Sequence, residues 1–171
     1  MLERRAIAAM ILAATIPFAS SAEAARKGSV VSDIKGIALG VFLGQPTGLT
    51  CRLGIGGESS IEAKAAWDLA GSRDNAAAFS FQANYLVEFP GVLNIEGQDI
   101  PPYVGGGVQL DMGAETVIGV RVPAGLVYRL QKAPVEFCLE VGLGMGLVPS
   151  TRILFSGGLG IRYILGKAPR S

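Results

Sequence analysis

The chain contains no histidine among its 171 residues. Histidine is the general base of Ser-His-Asp triads and Cys-His pairs, and it is the commonest side-chain ligand of protein-bound metals. Histidine-dependent hydrolases, acyltransferases and histidine metal sites are therefore excluded. We expect no enzyme activity, no catalytic residue, no metal site and no cofactor.

Charged residues are scarce as well. They make up 17% of the sequence, against about 25% in an ordinary soluble domain, and the formal net charge is only +1. Such a chain has no strongly charged surface for nucleic acid or another polyanionic partner. Beyond the N-terminal segment, no apolar run approaches the roughly 20 residues that a membrane-spanning helix needs. The sequence predicts one domain with too little charge for a typical water-facing surface.

The first 24 residues have the pattern of a secretory signal peptide. Arg4 and Arg5 form a basic segment, residues 6–18 are apolar, and Ala22-Glu23-Ala24 offers a small-residue cleavage site. The apolar segment is too short and too rich in alanine for a good membrane anchor. We expect a signal peptide over residues 1–24, a polar linker over 25–35, a folded domain over 36–165 and a tail over 166–171. Export places the mature protein in the periplasm or outer membrane of a Gram-negative bacterium.

Between Gly36 and Leu165, apolar residues recur at every second position. In residues 136–147, for example, Phe137, Leu139 and Val141 alternate with Glu136, Cys138 and Glu140. Because successive side chains of a strand point to opposite faces, each strand has one apolar face and one small or charged face. Strands are predicted near residues 36–44, 47–56, 60–70, 76–88, 101–111, 116–130, 135–147 and 153–165. The pattern predicts an all-β, up-and-down antiparallel membrane barrel of about eight strands.

The charged residues of these strands fall on the face opposite to the apolar one. The predicted lumenal charge network consists of Arg52, Glu62, Lys64, Asp68, Asp111, Arg121, Glu140 and Arg162. Both signs occur in near balance, and isolated ions in a narrow lumen would be costly, so we expect salt bridges that plug the barrel. The alternative is a charged conduction path or binding site. Glu62 with Asp68, or Asp111 with Glu140, resembles an acid–base couple, but any charged lumen supplies such pairs.

Three further residues test the predicted register. Cys51 falls on the apolar face and Cys138 on the lumenal face, so no disulfide is expected between them. Pro123 lies within a strand, where it usually marks a bulge or an edge. Since a closed barrel has no edge, a bulge is expected at Pro123.

Several segments together resemble a known family. They are GIALGVFLGQPTGLTCRLGI, ANYLVEFP, PPYVGGGVQL, GVRVPAGLVYRL, FCLEVGLGMGLVPST and GGLGIRYIL. They are similar to a family of small, largely uncharacterised bacterial outer-membrane β-barrel proteins, which carry a PTGLS-type turn, a GVRVP-GL strand, an LEV-to-P-T strand and a closing G-G-RY strand. The resemblance implies an outer-membrane barrel and brings no activity or catalytic residue. Its partners would be outer-membrane lipid and, during biogenesis, the barrel-insertion machinery.

Three functions are compatible with this pattern. The first is a structural, membrane-integrity barrel with a plugged lumen, which the short predicted outer loops favour over a surface receptor. The second is a soluble periplasmic barrel that binds an apolar ligand in its core, as lipocalin-like folds do, and it requires the two faces to be reversed. The third is a narrow channel or a membrane-embedded lipid-modifying enzyme. The sequence predicts neither a ligand nor an oligomeric state.

Overall fold

The computed structural model describes residues 35–67, 79–113 and 115–165. The predicted signal peptide, the linker up to residue 34 and the tail from residue 166 lie outside the described residues, as does Asp68. Within the described ranges, no helix is long and apolar enough to cross a membrane.

Eight antiparallel strands close into an up-and-down barrel. They are β1 (Lys35–Gln45), β2 (Thr47–Gly56), β3 (Ser59–Trp67), β4 (Phe79–Glu88), β7 (Pro102–Met112), β8 (Val117–Arg129), β9 (Val135–Val148) and β10 (Arg152–Leu165). Two short strands, β5 (Asn94–Ile95) and β6 (Gln98–Asp99), form a separate hairpin between β4 and β7. Each barrel strand pairs with the next barrel strand along the chain, so β4 pairs with β7. The first strand, β1, pairs with the last, β10, and closes the sheet. The predicted eight-stranded antiparallel barrel is confirmed.

The strands alternate in direction, so the start of β1 and the end of β10 lie at one end of the barrel. We call this the terminal end and the opposite one the distal end. The β5–β6 hairpin lies at the terminal end, and its turn residues Glu96 and Gly97 have positive φ angles of 51° and 81°, as a two-residue hairpin turn of type I′ requires. Gln98 of the hairpin donates to the carbonyl of Arg129 at 3.1 Å and accepts from Gln131 at 2.8 Å. The connector is thus held against the β8–β9 turn.

Burial along the strands follows the predicted alternation. In β4, Phe79, Phe81 and Tyr85 are exposed while Ser80 and Gln82 between them are buried. The apolar residues that the alternation places outward are exposed in the described strands, among them Ile37, Leu39, Val41, Leu43, Leu49, Leu53, Ile55, Ile61, Trp67, Phe79, Phe81, Val108, Val120, Val122, Ile161 and Leu165, and Val104 and Leu126 are half-buried. In the described barrel strands from Ile37 onward, no Asp, Glu, Lys or Arg occupies an outward position. The outer surface is a continuous apolar band.

Both cysteines are free, as the alternation predicted. Cys51 is half-buried on the outward face, where it pairs with Leu39 in β1 and Ala63 in β3. Cys138 is buried on the lumenal face. The two thiols lie on opposite sides of the barrel wall.

The bulge predicted at Pro123 is wrong. Pro123 pairs directly with Gly142 in β9, and the register toward β7 is the same before and after it. The irregularity of β8 lies instead between Ile118 and Gly119, and a second one lies between Gly54 and Gly56 in β2. Proline lacks an N–H donor, but its fixed φ is compatible with an extended strand. Its missing hydrogen bond is therefore tolerated without a shift in register.

The distal rim has a step where β1 meets β10. Pairing between these strands stops at Gln45 and Gly157, although β10 continues to Arg152. Residues 152–156 therefore pair with β9 on one side only, and no described residue pairs with their other edge. The outward side chains on this edge, Ile153 and Phe155, are 83% and 76% exposed.

Candidate functional site: the charged barrel interior

The barrel interior is mostly polar. Its only buried apolar cluster within the described residues consists of Leu86, Tyr103, Val127 and Cys138, and ionised or amide side chains fill much of the rest. Glycines on the inner faces make room for these side chains. A Cβ at Gly158 would lie 2.8 Å from Phe42 Cε1, and one at Gly142 would collide with the Arg121 guanidinium. Small residues next to large ones are thus required by the narrow lumen.

Six charged side chains form one group toward the terminal end, which we call the terminal cluster. Its members are Arg52, Glu62, Glu88, Arg129, Glu136 and Arg162, three cations and three carboxylates. Glu136 contacts three guanidiniums, those of Arg162 at 2.7 Å, Arg129 at 3.3 Å and Arg52 at 3.5 Å. All of these side chains are at most 3% exposed except that of Arg129, which is 24% exposed. Each carboxylate in the cluster has at least one guanidinium partner.

Three of these contacts join strands that are not neighbours in the sheet. Glu88 accepts two hydrogen bonds from Arg129 Nη2, at 2.7 and 2.8 Å, and a further one from Arg52. Arg162 Nη1 lies 2.5 Å from Glu62 Oε1. Hydrogen bonds between charged groups are the stronger ones. The terminal cluster therefore links β2, β3, β4, β8, β9 and β10 across the lumen.

A smaller group, the distal cluster, consists of Lys64, Arg121 and Glu140. Glu140 lies 2.5 Å from Lys64 Nζ and 3.0 Å from Arg121 Nη2, and the Tyr103 hydroxyl donates to it at 2.7 Å. Lys64 also sits 4.2 Å from the centre of the Phe42 ring, a distance typical of a cation–π contact. A 3.2 Å contact from Lys64 to Glu62 joins the two clusters.

Asp111 stands apart from both clusters. Its carboxylate accepts from Ser80 Oγ at 2.6 Å and from Gln109 Nε2 at 2.8 and 3.0 Å. Among the described residues, no cation lies within ion-pair distance of it. Asp111 is nevertheless only 7% exposed. Within the part of the chain that the structure describes, the partners of this carboxylate are neutral hydrogen-bond donors.

The predicted lumenal residues are mostly brought together. Arg52, Glu62, Lys64, Arg121, Glu140 and Arg162 belong to the connected network, Asp111 is buried in the lumen but separate, and Asp68 lies outside the described residues. The predicted set omits Glu88, Arg129 and Glu136. Each of these residues occupies a position that the two-residue alternation of its strand directs into the lumen. This position is the signal that could have identified it.

Every carboxylate of the network is paired with a cation, which limits its chemistry. Every carboxylate in it bonds to at least one cation, so none is a free base in the described lumen. No group of three or more His, Cys, Asp or Glu in the described part of the chain is arranged to hold a metal ion. The geometry is that of a network of mutually paired ions.

A pocket of about 910 Å³ is lined mainly by outward residues and also by the lumenal residues Lys64, Gln82 and Gln109. The outward lining residues include small ones, among them Cys51, Ala63, Ala65 and Ala83, and larger ones such as Leu49. Cys51, Ala63 and Ala83 lie side by side on β2, β3 and β4.

The chain was compared with protein-family models, curated proteins and solved structures, and no match was found. The resemblance to small outer-membrane barrels therefore stays a prediction that rests on the sequence segments alone.

Proposed function

We propose that this protein is a small outer-membrane β-barrel with a structural, membrane-integrity role and a lumen plugged by ion pairs. The observation that carries the proposal is the outer surface. Large apolar side chains are exposed all around the barrel, and no charged side chain interrupts them on the described strands from Ile37 onward. Soluble monomers rarely expose apolar patches above a few hundred Å². A hydrocarbon environment removes this cost.

Strand length supports the same environment. The eight barrel strands have 9 to 14 residues, and a tilted strand needs about 9–11 to cross a bilayer. A closed barrel also pairs its backbone groups internally, which lipid requires.

The filled interior favours a structural role over a channel. Arg52, Glu62, Lys64, Glu140 and Arg162 are each at most 4% exposed, and the Lys64–Glu140 and Glu62–Arg162 pairs cross the lumen. A water-filled path would leave such side chains partly accessible. The same arrangement weighs against a lipocalin-like barrel, because that function needs apolar side chains inside and charged ones outside.

Fractionation of the expressed, processed protein tests the proposal directly. We expect recovery in the outer-membrane fraction, with different gel migration before and after boiling in detergent. Recovery as a soluble periplasmic protein would refute the proposal. Conductance in a planar bilayer would keep the location but replace the structural role by a channel.

A pair of variants tests the environment of the outer face. Val141 lies in the middle of β9 and is 57% exposed. In lipid, Val141→Arg should cost about 2–4 kcal/mol of folding free energy, measured by urea titration in lipid vesicles. In water the same exposed substitution should change stability by no more than about 0.5 kcal/mol.

Val92→Arg is the matched control, since Val92 is 63% exposed on the β4–β7 connector and lies outside the barrel strands. It should be near neutral in either environment. Equal, small effects of the two substitutions would contradict a lipid-facing outer surface.

A further inference from the structure

The backbone direction of β10 identifies which residues face the step in the distal rim. Successive residues of a strand point their N–H and C=O groups to opposite edges. The N–H of Ile164 donates to the carbonyl of Pro134, on the side of β9, and the β9–β10 register is unbroken along the paired length. The even-numbered residues of β10 therefore bond toward β9, and the odd-numbered residues point their backbone groups toward β1.

Ile153 and Phe155 face the free edge. Pairing with β1 ends at Gly157, so the N–H and C=O groups of Ile153 and Phe155 point past the end of β1, where no described residue pairs with them. The side chains of these residues are 83% and 76% exposed, more than any other large apolar side chain that the structure describes. Unpaired backbone groups and highly exposed apolar side chains thus coincide at this edge.

The free edge has few of the features that protect the edge strands of natural sheets. Such edges carry proline, lysine or a bulge, all of which discourage pairing with another chain. Residues 152–156 include no proline, and their only charge is Arg152 at the start of the strand. Their pairing with β9 is regular, and the Ser156 hydroxyl accepts from Arg121 Nη2 at 2.9 Å. The edge is therefore a preformed strand that is open on one side.

We propose that the free edge of β10 binds an extended segment of another polypeptide, which adds to the sheet as a strand in line with β1. The main chain of this partner would form hydrogen bonds with the N–H and C=O groups of Ile153 and Phe155. Its apolar side chains, at every second position, would pack against the side chains of the same two residues. This site goes beyond the proposed structural role of the barrel.

A second copy of the chain is the competing occupant. Two identical free edges pair in antiparallel fashion about a two-fold axis perpendicular to the sheet. The strands of a membrane barrel cross the bilayer, so this axis would invert one barrel relative to the other, whereas barrels inserted in one membrane share one orientation. The choice of another polypeptide over a second copy therefore rests on the proposed membrane location.

Amide hydrogen exchange, measured by NMR on the purified folded protein, tests the site. The probe is a short synthetic peptide of alternating valine and threonine, N-methylated at every threonine so that only one of its edges can pair. Without the probe, the amides of Ile153 and Phe155 should exchange quickly, and those of Leu154 and Ser156, which bond toward β9, should be protected. A saturating amount of the probe should slow exchange at Ile153 and Phe155 by at least about tenfold. The same peptide N-methylated at every residue is the matched control and should have no effect.

A pair of variants separates main-chain pairing from apolar contact. Phe155→Pro removes an N–H that points to the free edge and leaves the bonds to β9 intact, a position at which strands accept proline. It should abolish the protection that the probe gives to the Ile153 amide. Phe155→Val keeps both the N–H and an apolar side chain, so it should retain this protection. The comparison of the two peptides on the unaltered protein needs neither variant.

Other exchange patterns would overturn the proposal. Slow exchange at Ile153 and Phe155 in dilute protein without the probe would mean that other residues of this chain cover the edge. Protection that appears only as the protein concentration rises would assign the edge to a second copy. Unchanged exchange with the probe, or an equal effect of both peptides, would exclude strand addition. Fractionation tests the membrane location separately, and recovery in the periplasm would refute the proposed function without changing these exchange rates.

Discussion

The terminal and distal clusters differ in how their buried charges are compensated. In the terminal cluster, Glu136 and Glu88 each bond to at least two guanidiniums, and cations and carboxylates match in number. In the distal cluster, two cations share Glu140, and neutral side chains provide the remaining contacts. Removing a buried charge that contacts several counter-ions leaves all of them without that partner, whereas removing one of two cations that share a carboxylate leaves the carboxylate paired. Substitutions that remove a charge should therefore cost more stability in the terminal cluster than in the distal one.

The largest effect is expected for Glu136→Gln in the terminal cluster. The substitution leaves three guanidiniums with two carboxylates in a buried site, and breaking a buried ion pair costs about 3–5 kcal/mol. Urea unfolding of the folded protein measures the loss. Glu96→Gln removes the same charge from an exposed position on the connector and should change stability by no more than about 0.5 kcal/mol. Similar values for the two variants would contradict the compensation described for the terminal cluster.

An intermediate effect is expected for Arg121→Ala in the distal cluster. Glu140 loses one partner but keeps Lys64 at 2.5 Å and the Tyr103 hydroxyl at 2.7 Å, so we expect a loss of about 1–3 kcal/mol. The temperature at which the folded form disappears on unboiled gels should fall accordingly. Arg152→Ala, at an exposed position of β10, is the control and should leave that temperature unchanged. A larger loss for Arg121→Ala than for Glu136→Gln would reverse the comparison between the clusters.

The smallest effect is expected for Asp111→Asn. No described cation pairs with this carboxylate, and an asparagine oxygen can still accept from Ser80 Oγ. The free energy of unfolding, measured by urea titration, should change by about 0.5 kcal/mol or less. A loss comparable to that of Arg121→Ala would mean that Asp111 has a strong electrostatic partner in the distal half.

The fold could be predicted because each strand repeats the same two-residue signal. Within one strand, the alternation predicts which residues face outward and which face the lumen, and so the face on which each cysteine lies. The presence of about eight such segments predicts the barrel. The contacts inside the lumen could not be predicted in this way. Lys64 and Glu140 are 76 positions apart, and Arg162 and Glu62 are 100 apart. Which lumenal charges meet depends on strand stagger and side-chain reach across the barrel, and neither is encoded in a local pattern.

At Pro123, by contrast, a local preference predicts the wrong structure. Proline is disfavoured in sheet interiors because it removes a ladder hydrogen bond. In this barrel the strand keeps its register through Pro123, and the irregularity lies at Ile118 and Gly119 instead. A single lost hydrogen bond did not outweigh the pairing of the thirteen-residue strand β8 with its two neighbours.

The step in the distal rim has a consequence for how deep the barrel can sit in the proposed membrane. Residues 152–156 present an edge without a described partner, about 17 Å long at 3.3–3.4 Å per residue. Unpaired backbone groups are not tolerated in hydrocarbon. In the proposed membrane, the hydrocarbon layer must therefore end at Gly157 or closer to the terminal end where β10 meets β1. Ile153 and Phe155 would then lie in the headgroup region. The seam between β1 and β10 would fix both the depth and the tilt of the barrel in the bilayer.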